Sequence, residues 1–301
     1  MLKSLAFNNE TLLYNNQYEL YYPDPYNPLN LPPNTVRVRT SDGNVPTKGA
    51  NTSYETATLV PGTVDVYDVY KSGTSFDDLL ADSNNVVEVL GANTTNITNM
   101  HEMFYNCTSL TSVPLFNTSN VWKMARMFHS CASITTVPSF DTSNVTTMEF
   151  MFYNCTSLIS VPLFDTSSVT NMKHMFYNCT SLTTVPLFNT FEVTDMRYML
   201  ANCTSLTKVP LFMTSKVTNM YGMLMRCTSL TAVPTFYTSN VTNMTQMLFN
   251  CINVRAGALA LYNQASTQAT PPSGHSQTFY ECGANTVQGA AELAQIPSDW
   301  K

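Results

Sequence analysis

Apolar and polar positions recur along most of this chain with a period of 24 residues. Seven cysteines mark the repeat at that spacing, namely Cys107, Cys131, Cys155, Cys179, Cys203, Cys227 and Cys251. Self-similarity at a period of roughly 20 to 50 residues is typical of proteins whose units bury their apolar faces only when neighbours stack on them. The pattern therefore predicts an α/β repeat solenoid, leucine-rich-repeat-like and right-handed, of about eight turns of chain.

Each unit combines two hydrophobic periodicities. In the first full copy the apolar residues of the first half lie at Ile97, Met100, Met103, Phe104 and Cys107. That is helical spacing, and it predicts a short helix. In the second half Pro114 stands where a central strand would need an amide, so the strand there is only a few residues long. The predicted unit is a short strand plus a short helix.

The flanks of the array predict caps. Residues 73–96 form a degenerate first copy of the 73–254 solenoid, with Ser83 in the cysteine position. Residues 35–72 alternate valines with polar residues around turn signals, which predicts a small antiparallel β cap at the N-terminus. Residues 255–301 form a C-terminal cap with a degenerate last copy, and Trp300 is available to cover the open end of the core.

Residues 1–34 are rich in Asn, Tyr and Pro. Five prolines between positions 23 and 33 argue against a regular element of any length, so we predict an extended docking arm. Clustered tyrosines favour burial over disorder. The arm is therefore expected to dock on a surface, either that of its own array or that of a partner subunit.

Composition and charge narrow the functional classes. Only 11% of the residues are charged, the net charge is -6, and no run of Lys or Arg occurs. Proteins that bind nucleic acid need a basic surface to displace counterions, so we expect no nucleic-acid partner. A secretory signal needs an uninterrupted apolar core, and Asn and Glu residues interrupt the apolar residues of positions 1–17. We therefore expect no secretory signal there. Without an apolar segment long enough to span a bilayer, we also expect no membrane insertion.

The cysteines are predicted to be buried free thiols. Residues at one repeat position point the same way and stack about 4.8 Å apart, and a buried free cysteine behaves as a small apolar side chain. Cys282 lies 31 residues beyond Cys251 and belongs to the degenerate last copy. A zinc site needs closely spaced ligand pairs, which the chain lacks, so we expect no metal and no cofactor.

The repeat does not bring catalytic residues together, so we expect no enzymatic activity. Four histidines fall at different repeat positions, namely His101, His129, His174 and His275. Stacking therefore brings together no pair of nucleophile and base. Asp141 and Asp165 do share a position, but Asn, Met and Tyr occupy it in other copies, which favours a turn residue over a carboxylate pair.

The repeat resembles a known family. Residues 169–190 read VTNMKHMFYNCTSLTTVPLFNT, which resembles the BspA-like leucine-rich repeats of bacterial surface proteins and Mycoplasma lipoproteins. That resemblance implies a leucine-rich-repeat solenoid used for adhesion or protein binding, often on exported or lipid-anchored chains. The flanks, residues 35–71 and 256–300, resemble repeat proteins encoded with tail or baseplate genes of gut phages and prophages.

Two functions follow from these resemblances. In the first, the chain is a phage virion protein, at the tail or another exposed site, assembled in the host cytoplasm. The arm would then contact other virion structural proteins, and the solenoid would bind a host surface protein or glycan. In the second, the chain is a bacterial cell-surface adhesin of the BspA-like type. Both functions are structural or adhesive.

The binding face is predicted from how much each repeat position varies. The two residues between the paired methionines differ widely in charge and size, as a recognition surface requires, whereas the Thr and Ser of the strand half hardly vary. A neighbouring position carries a row of rings, whose alternative role is packing along the rim. We predict that the contact surface is formed by Tyr105, Tyr153, Tyr177, Phe150, His174, Arg197 and Tyr198.

Overall fold

The computed structural model describes residues 3–7, 10–14, 20–21 and 27–301. Strands β1 (Lys3–Phe7), β2 (Glu10–Tyr14) and β3 (Leu20–Tyr21) form an antiparallel sheet in that order. The prediction that residues 1–34 contain no regular element of any length is therefore wrong for these strands. All prolines of the arm follow Tyr21, so no missing amide interrupts the pairing. The docking contact predicted for the arm falls largely outside the described residues.

A second antiparallel sheet stands at the start of the array. Its strands are β4 (Thr35–Thr40), β5 (Thr56–Leu59), β6 (Val66–Tyr70) and β7 (Val86–Asn93), in the order β5-β6-β4-β7. Val36 and Val38 are fully buried, whereas Arg37 between them pairs with Asp68 at 2.6 Å. This alternation confirms the predicted small antiparallel sheet. Strand β7 extends the sheet into the degenerate first copy.

From residue 75 to residue 274 the copies stack on one another. Parallel bridges connect equivalent residues of successive copies, in the order Ser75, Asn99, Lys123, Thr147, Asn171, Asp195, Asn219, Asn243 and Gly274. We call one copy a rung and a set of equivalent residues a column. The predicted repeat fold is confirmed, and we refer to these rungs as the stacked array.

The first half of each rung consists of turns, so the predicted short helix is wrong. Alternate amides have different partners. The N–H of Met103 donates to the carbonyl of Met100 in its own rung, whereas the N–H of Phe104 donates to the carbonyl of Met127 in the next rung. Two columns have a left-handed backbone, as at Asn106 with φ 55°, which an α-helix does not contain. Successive turns direct apolar side chains inward at the spacing of a helix, which explains the wrong prediction.

The second half of each rung has little strand character. Thr183 donates its N–H to the carbonyl of Ile159 one rung earlier, at 3.2 Å. After the proline the chain turns tightly, because the N–H of Phe188 donates to the carbonyl of Pro186 at 3.0 Å, with Leu187 at the tip of the turn. The predicted strand of a few residues is thus reduced to isolated contacts between rungs.

Phenylalanines and cysteines fill the core of the array. Phe128 stacks between Phe104 and Phe152, with ring centroids 5.4 and 5.6 Å apart. The Cys131 thiol donates to the carbonyl of Phe104 at 3.1 Å. All eight cysteines are buried free thiols, and burial raises the pKa of the Cys107 thiol to about 12. Each thiol is therefore a small core side chain that a reagent reaches only when the array opens.

The C-terminal segment covers the last rung. It contains helices α1 (Ala258–Ser266) and α2 (Val287–Ala294) and a short 3-10 helix (Ser298–Trp300). The N–H of Phe279 in the last rung donates to the carbonyl of Trp300 at 2.9 Å, where a further rung would otherwise supply the acceptor. The Trp300 side chain is buried and stacks on His275, with ring centroids 4.4 Å apart. The open end of the core is closed in this way.

Candidate functional site

A band of stacked aromatic side chains, which we call the ring strip, runs along the turn half of the array. Its first column contains Tyr105, His129, Tyr153 and Tyr177, with successive ring centroids 4.6, 4.6 and 4.8 Å apart. Such distances are ring-face contacts between neighbouring rungs. The faces of the rings cover one another, so the column presents ring edges and hydroxyl groups to the solvent.

The second column of the ring strip contains Phe150, His174 and Tyr198. Their ring centroids are 4.6 and 4.8 Å apart. The two columns contact each other, because Tyr177 meets the edge of Tyr198 at 6.1 Å. The fold therefore brings the seven predicted contact residues together in one band, with Arg197 beside the rings, and all seven side chains are half-buried.

Both histidines of the ring strip are uncharged at neutral pH. Burial, together with the nearby Arg126 guanidinium, lowers the pKa of His129 to about 4. Burial lowers the pKa of His174 to about 4 as well, with Lys173 and Arg197 adding to the effect. The imidazoles therefore stack as neutral rings between tyrosines and phenylalanines.

Cations border the ring strip, and each is held by a carboxylate. Arg126 pairs with Glu102 at 2.9 Å, across one rung. Lys173 lies 3.4 Å from Glu149 and 5.3 Å from the centre of the Phe150 ring. These partly exposed pairs fix the positions of the side chains more than they add stability. The strip is thus a set of rings framed by oriented ion pairs.

The ring strip ends in a depression of about 290 Å³. Its lining consists of Lys173, His174, Arg197, Tyr198, Asn219, Tyr221 and Asn243. The second ring column stops here because the next rung has Gly222 in that column. A Cβ atom at Gly222 would lie 2.5 Å from the Tyr198 ring, so only glycine lets that ring settle over the backbone.

A second surface, the leucine stripe, lies in the other half of the rungs. Leu163, Leu187 and Leu211 occupy one column on three successive rungs and are 63%, 61% and 52% exposed. Met213 and Tyr237, two columns further along the chain, are 50% and 59% exposed. Contiguous exposed apolar side chains on a soluble surface mark interaction sites, whereas single ones are normal.

The leucine stripe was not predicted, because its residues occur between buried neighbours in the run Val-Pro-Leu-Phe. Val185 and Phe188 are both buried on either side of the exposed Leu187. The tight turn between Pro186 and Phe188 directs the intervening leucine outward. The available signal was the proline two residues before the buried aromatic residue. A proline disfavours a regular strand, in which inward and outward side chains would simply alternate.

The carboxylate column has a structural role. Asp141 accepts hydrogen bonds from the N–H and the hydroxyl of Ser143, at 3.1 and 2.7 Å, and Asp165 accepts the same pair from Ser167. Each carboxylate caps its own turn. Within the described residues, no three His, Cys, Asp or Glu side chains converge as metal ligands. The same part of the chain contains no helix long and apolar enough to cross a membrane.

A comparison with protein families shows the family to which the chain belongs. The model of the family described as Mycoplasma protein of unknown function, DUF285, matches residues 74–182 and 159–259, more than half of the 301 residues. The chain belongs to this family. The matched residues, 74–259, cover most of the stacked array and confirm the resemblance to BspA-like leucine-rich repeats. No curated protein matches the chain significantly.

Solved structures with similarity to the chain include two leucine-rich repeat proteins. One is from Eubacterium ventriosum, with 18% sequence identity, a TM-score of 0.36, and coverage of 70% of this chain and 48% of that protein. The chain thus spans about half the length of the Eubacterium ventriosum protein. The other is from T. pallidum, with 19% identity, a TM-score of 0.37, and coverage of 61% of this chain and 90% of that protein.

Proposed function

We propose that this protein is a non-enzymatic adhesin of the bacterial cell surface, in which the stacked array is a leucine-rich-repeat solenoid that binds a partner protein. Membership of a BspA-like repeat family supports the surface location. The carboxylates that could suggest catalysis cap turns instead. The alternative is a phage virion protein, and no family or protein named above is described as a virion component.

The observation that carries the proposal is the leucine stripe. Its three leucines lie on successive rungs and are each more than half exposed. A partner that covered them would remove this apolar area from water. The column of the stripe itself contains no charged residue, since it holds only Leu, Ser and Thr in the copies between residues 97 and 254. Interface centres are depleted in charge and enriched in apolar groups, which fits a protein partner.

The ring strip is proposed as a second contact region of the same array. Its rings pack on one another, so they contribute a rigid edge whose side chains lose little conformational entropy on binding. Tyr105, Tyr153, Tyr177, Phe150, His174, Arg197 and Tyr198 are the residues proposed for it. The leucine stripe supplies apolar contact, and the ring strip supplies polar selectivity.

Antibody labelling of intact cells tests the proposed location. Antibody against the stacked array is expected to label unpermeabilised cells of the bacterium that produces the protein. An antibody against a cytoplasmic marker serves as the control for cell integrity. Labelling confined to purified phage particles, with unlabelled cells, would establish the virion function instead.

A further inference from the structure

We propose that the depression at the end of the ring strip binds an acidic saccharide, a pyranose ring that carries a carboxylate. The depression lies at the end of the second ring column, where Tyr198 is the last ring and Gly222 occupies that column in the next rung. The depression shares His174, Arg197 and Tyr198 with the ring strip, so the inference rests on the proposal that the ring strip is a contact region and names the ligand at its end. It does not depend on the leucine stripe.

Two asparagines on successive rungs supply hydrogen-bond donors. Asn219 Oδ1 accepts the N–H of Tyr221 at 3.0 Å, and Asn243 Oδ1 accepts the N–H of Thr245 at 2.9 Å. A backbone N–H only donates, so these bonds fix which end of each amide faces the backbone. Among the described residues neither amino group has a protein acceptor. Both side chains line the depression, about 4.8 Å apart at the spacing of adjacent rungs.

The charge of the lining favours an anion. Arg197 binds Asp195 through Nε and Nη2, which leaves Nη1 without an acceptor within the described residues. Lys173, which pairs with Glu149 at 3.4 Å, also lines the depression, and no acidic side chain is among the lining residues. A guanidinium edge with a free N–H matches a carboxylate, because charge-assisted hydrogen bonds are stronger than neutral ones.

The rings favour a saccharide over a peptide carboxylate. Tyr198 and Tyr221 meet at an interplanar angle of 72°, with centroids 4.9 Å apart, and form an apolar corner beside the donors. A pyranose presents C–H groups on its faces and hydroxyl acceptors at its edges, so it can occupy the corner and the asparagine donors together. The carboxylate of a flexible peptide side chain carries no apolar ring face that could fill this corner.

The test is calorimetric titration of the full chain with a trimer of galacturonic acid. The wild-type protein is expected to bind it saturably. The double variant Asn219→Asp, Asn243→Asp is expected to bind at least about tenfold more weakly, because each amino group that donates is replaced by a carboxylate oxygen that repels the anionic ligand. The fold accepts aspartate in this column, because Asp195 Oδ1 makes the same backbone bond at 2.9 Å. Asn99→Asp, in the same column but far from the depression, is the matched control and should bind normally.

Four results would overturn the inference. One is the absence of saturable binding by the wild-type chain. Another is equal binding of a neutral galactose trimer, which would remove the role of the carboxylate. The third is equal binding of a triglutamate peptide, which would assign the site to acidic peptides. An unaltered affinity of the double variant would equally exclude the depression as the site.

Discussion

Phe152→Ala is expected to destabilise the array by about 3 to 5 kcal/mol, the usual effect of emptying a buried phenylalanine site. The Phe152 side chain is fully buried, and its ring stacks on Phe128 and Phe176 at 5.6 and 5.5 Å. The substitution therefore removes contacts with two neighbouring rungs. Because a rung is stabilised by its neighbours, the loss reaches beyond a single copy.

Urea unfolding measured by thiol accessibility checks this expectation. All eight cysteines are buried, so a thiol reagent reports on opening of the array. The control is Phe150→Ala, two residues away, where the ring is half-buried in the ring strip. That variant should lose only about 1 kcal/mol. Equal shifts of the two urea midpoints would contradict the assignment of inward and outward rings.

Asn178→Pro is expected to disrupt the array at its centre, at a cost of about 3 kcal/mol or more. Asn178 has φ 59°, a value that the proline ring excludes. Its N–H donates to the carbonyl of Ala201 in the next rung at 2.8 Å, and proline has no N–H to donate. Both the turn and the contact between rungs are lost.

The matched control for the proline variant is Asn178→Gly. Glycine keeps the backbone N–H and adopts a left-handed conformation freely, so only the side-chain bond to Asn154, at 3.0 Å, disappears. We expect this variant to stay within about 1 kcal/mol of wild type. Urea unfolding followed by circular dichroism and by the thiol assay measures the stability of both variants. A proline variant that unfolds at the wild-type urea concentration would show that the left-handed turns are not required.

The repeat fold and its core could be predicted because both depend on residue spacing alone. Met100, Met103, Phe104 and Cys107 are all fully buried, as their spacing indicates. The helix could not be excluded in the same way. Alternate amides donate to a rung 23 residues later in sequence, and a helical pattern of apolar residues does not reveal such distant partners.

A local signal for the turns was present but incomplete. Asn106, Asn154 and Asn178 occupy a left-handed column, and asparagine is enriched in that conformation. The other left-handed column contains Arg126 and Phe150, which carry no such preference. Their backbone conformation is imposed by the hydrogen bonds to the neighbouring rungs.

The candidate site was predictable in its parts and not in its arrangement. Columns of rings follow directly from the 24-residue period. The contact between Tyr177 and Tyr198 depends on the lateral distance between columns, which only the folded turns define. The depression depends further on how the side chains of Arg197, Tyr198 and Asn219 are placed around it, which the period does not define.

Adhesion of protein-coated beads to a panel of intact bacterial and animal cells tests the central proposal most directly. The leucine variant carries Leu163→Asn, Leu187→Asn and Leu211→Asn. The matched control carries Asn at three exposed threonines of the same three rungs, Thr146, Thr170 and Thr194. Surface substitutions of this kind should change stability by at most about 0.5 kcal/mol each.

The wild-type and threonine-variant beads are expected to adhere equally, and prior protease treatment of the cells should abolish their adhesion. The leucine variant should lose at least about tenfold in affinity, because its exposed apolar contact is replaced by amides that must be desolvated. Undiminished adhesion of the leucine variant, with its fold intact by circular dichroism, would contradict the proposal that the leucine stripe binds the partner protein.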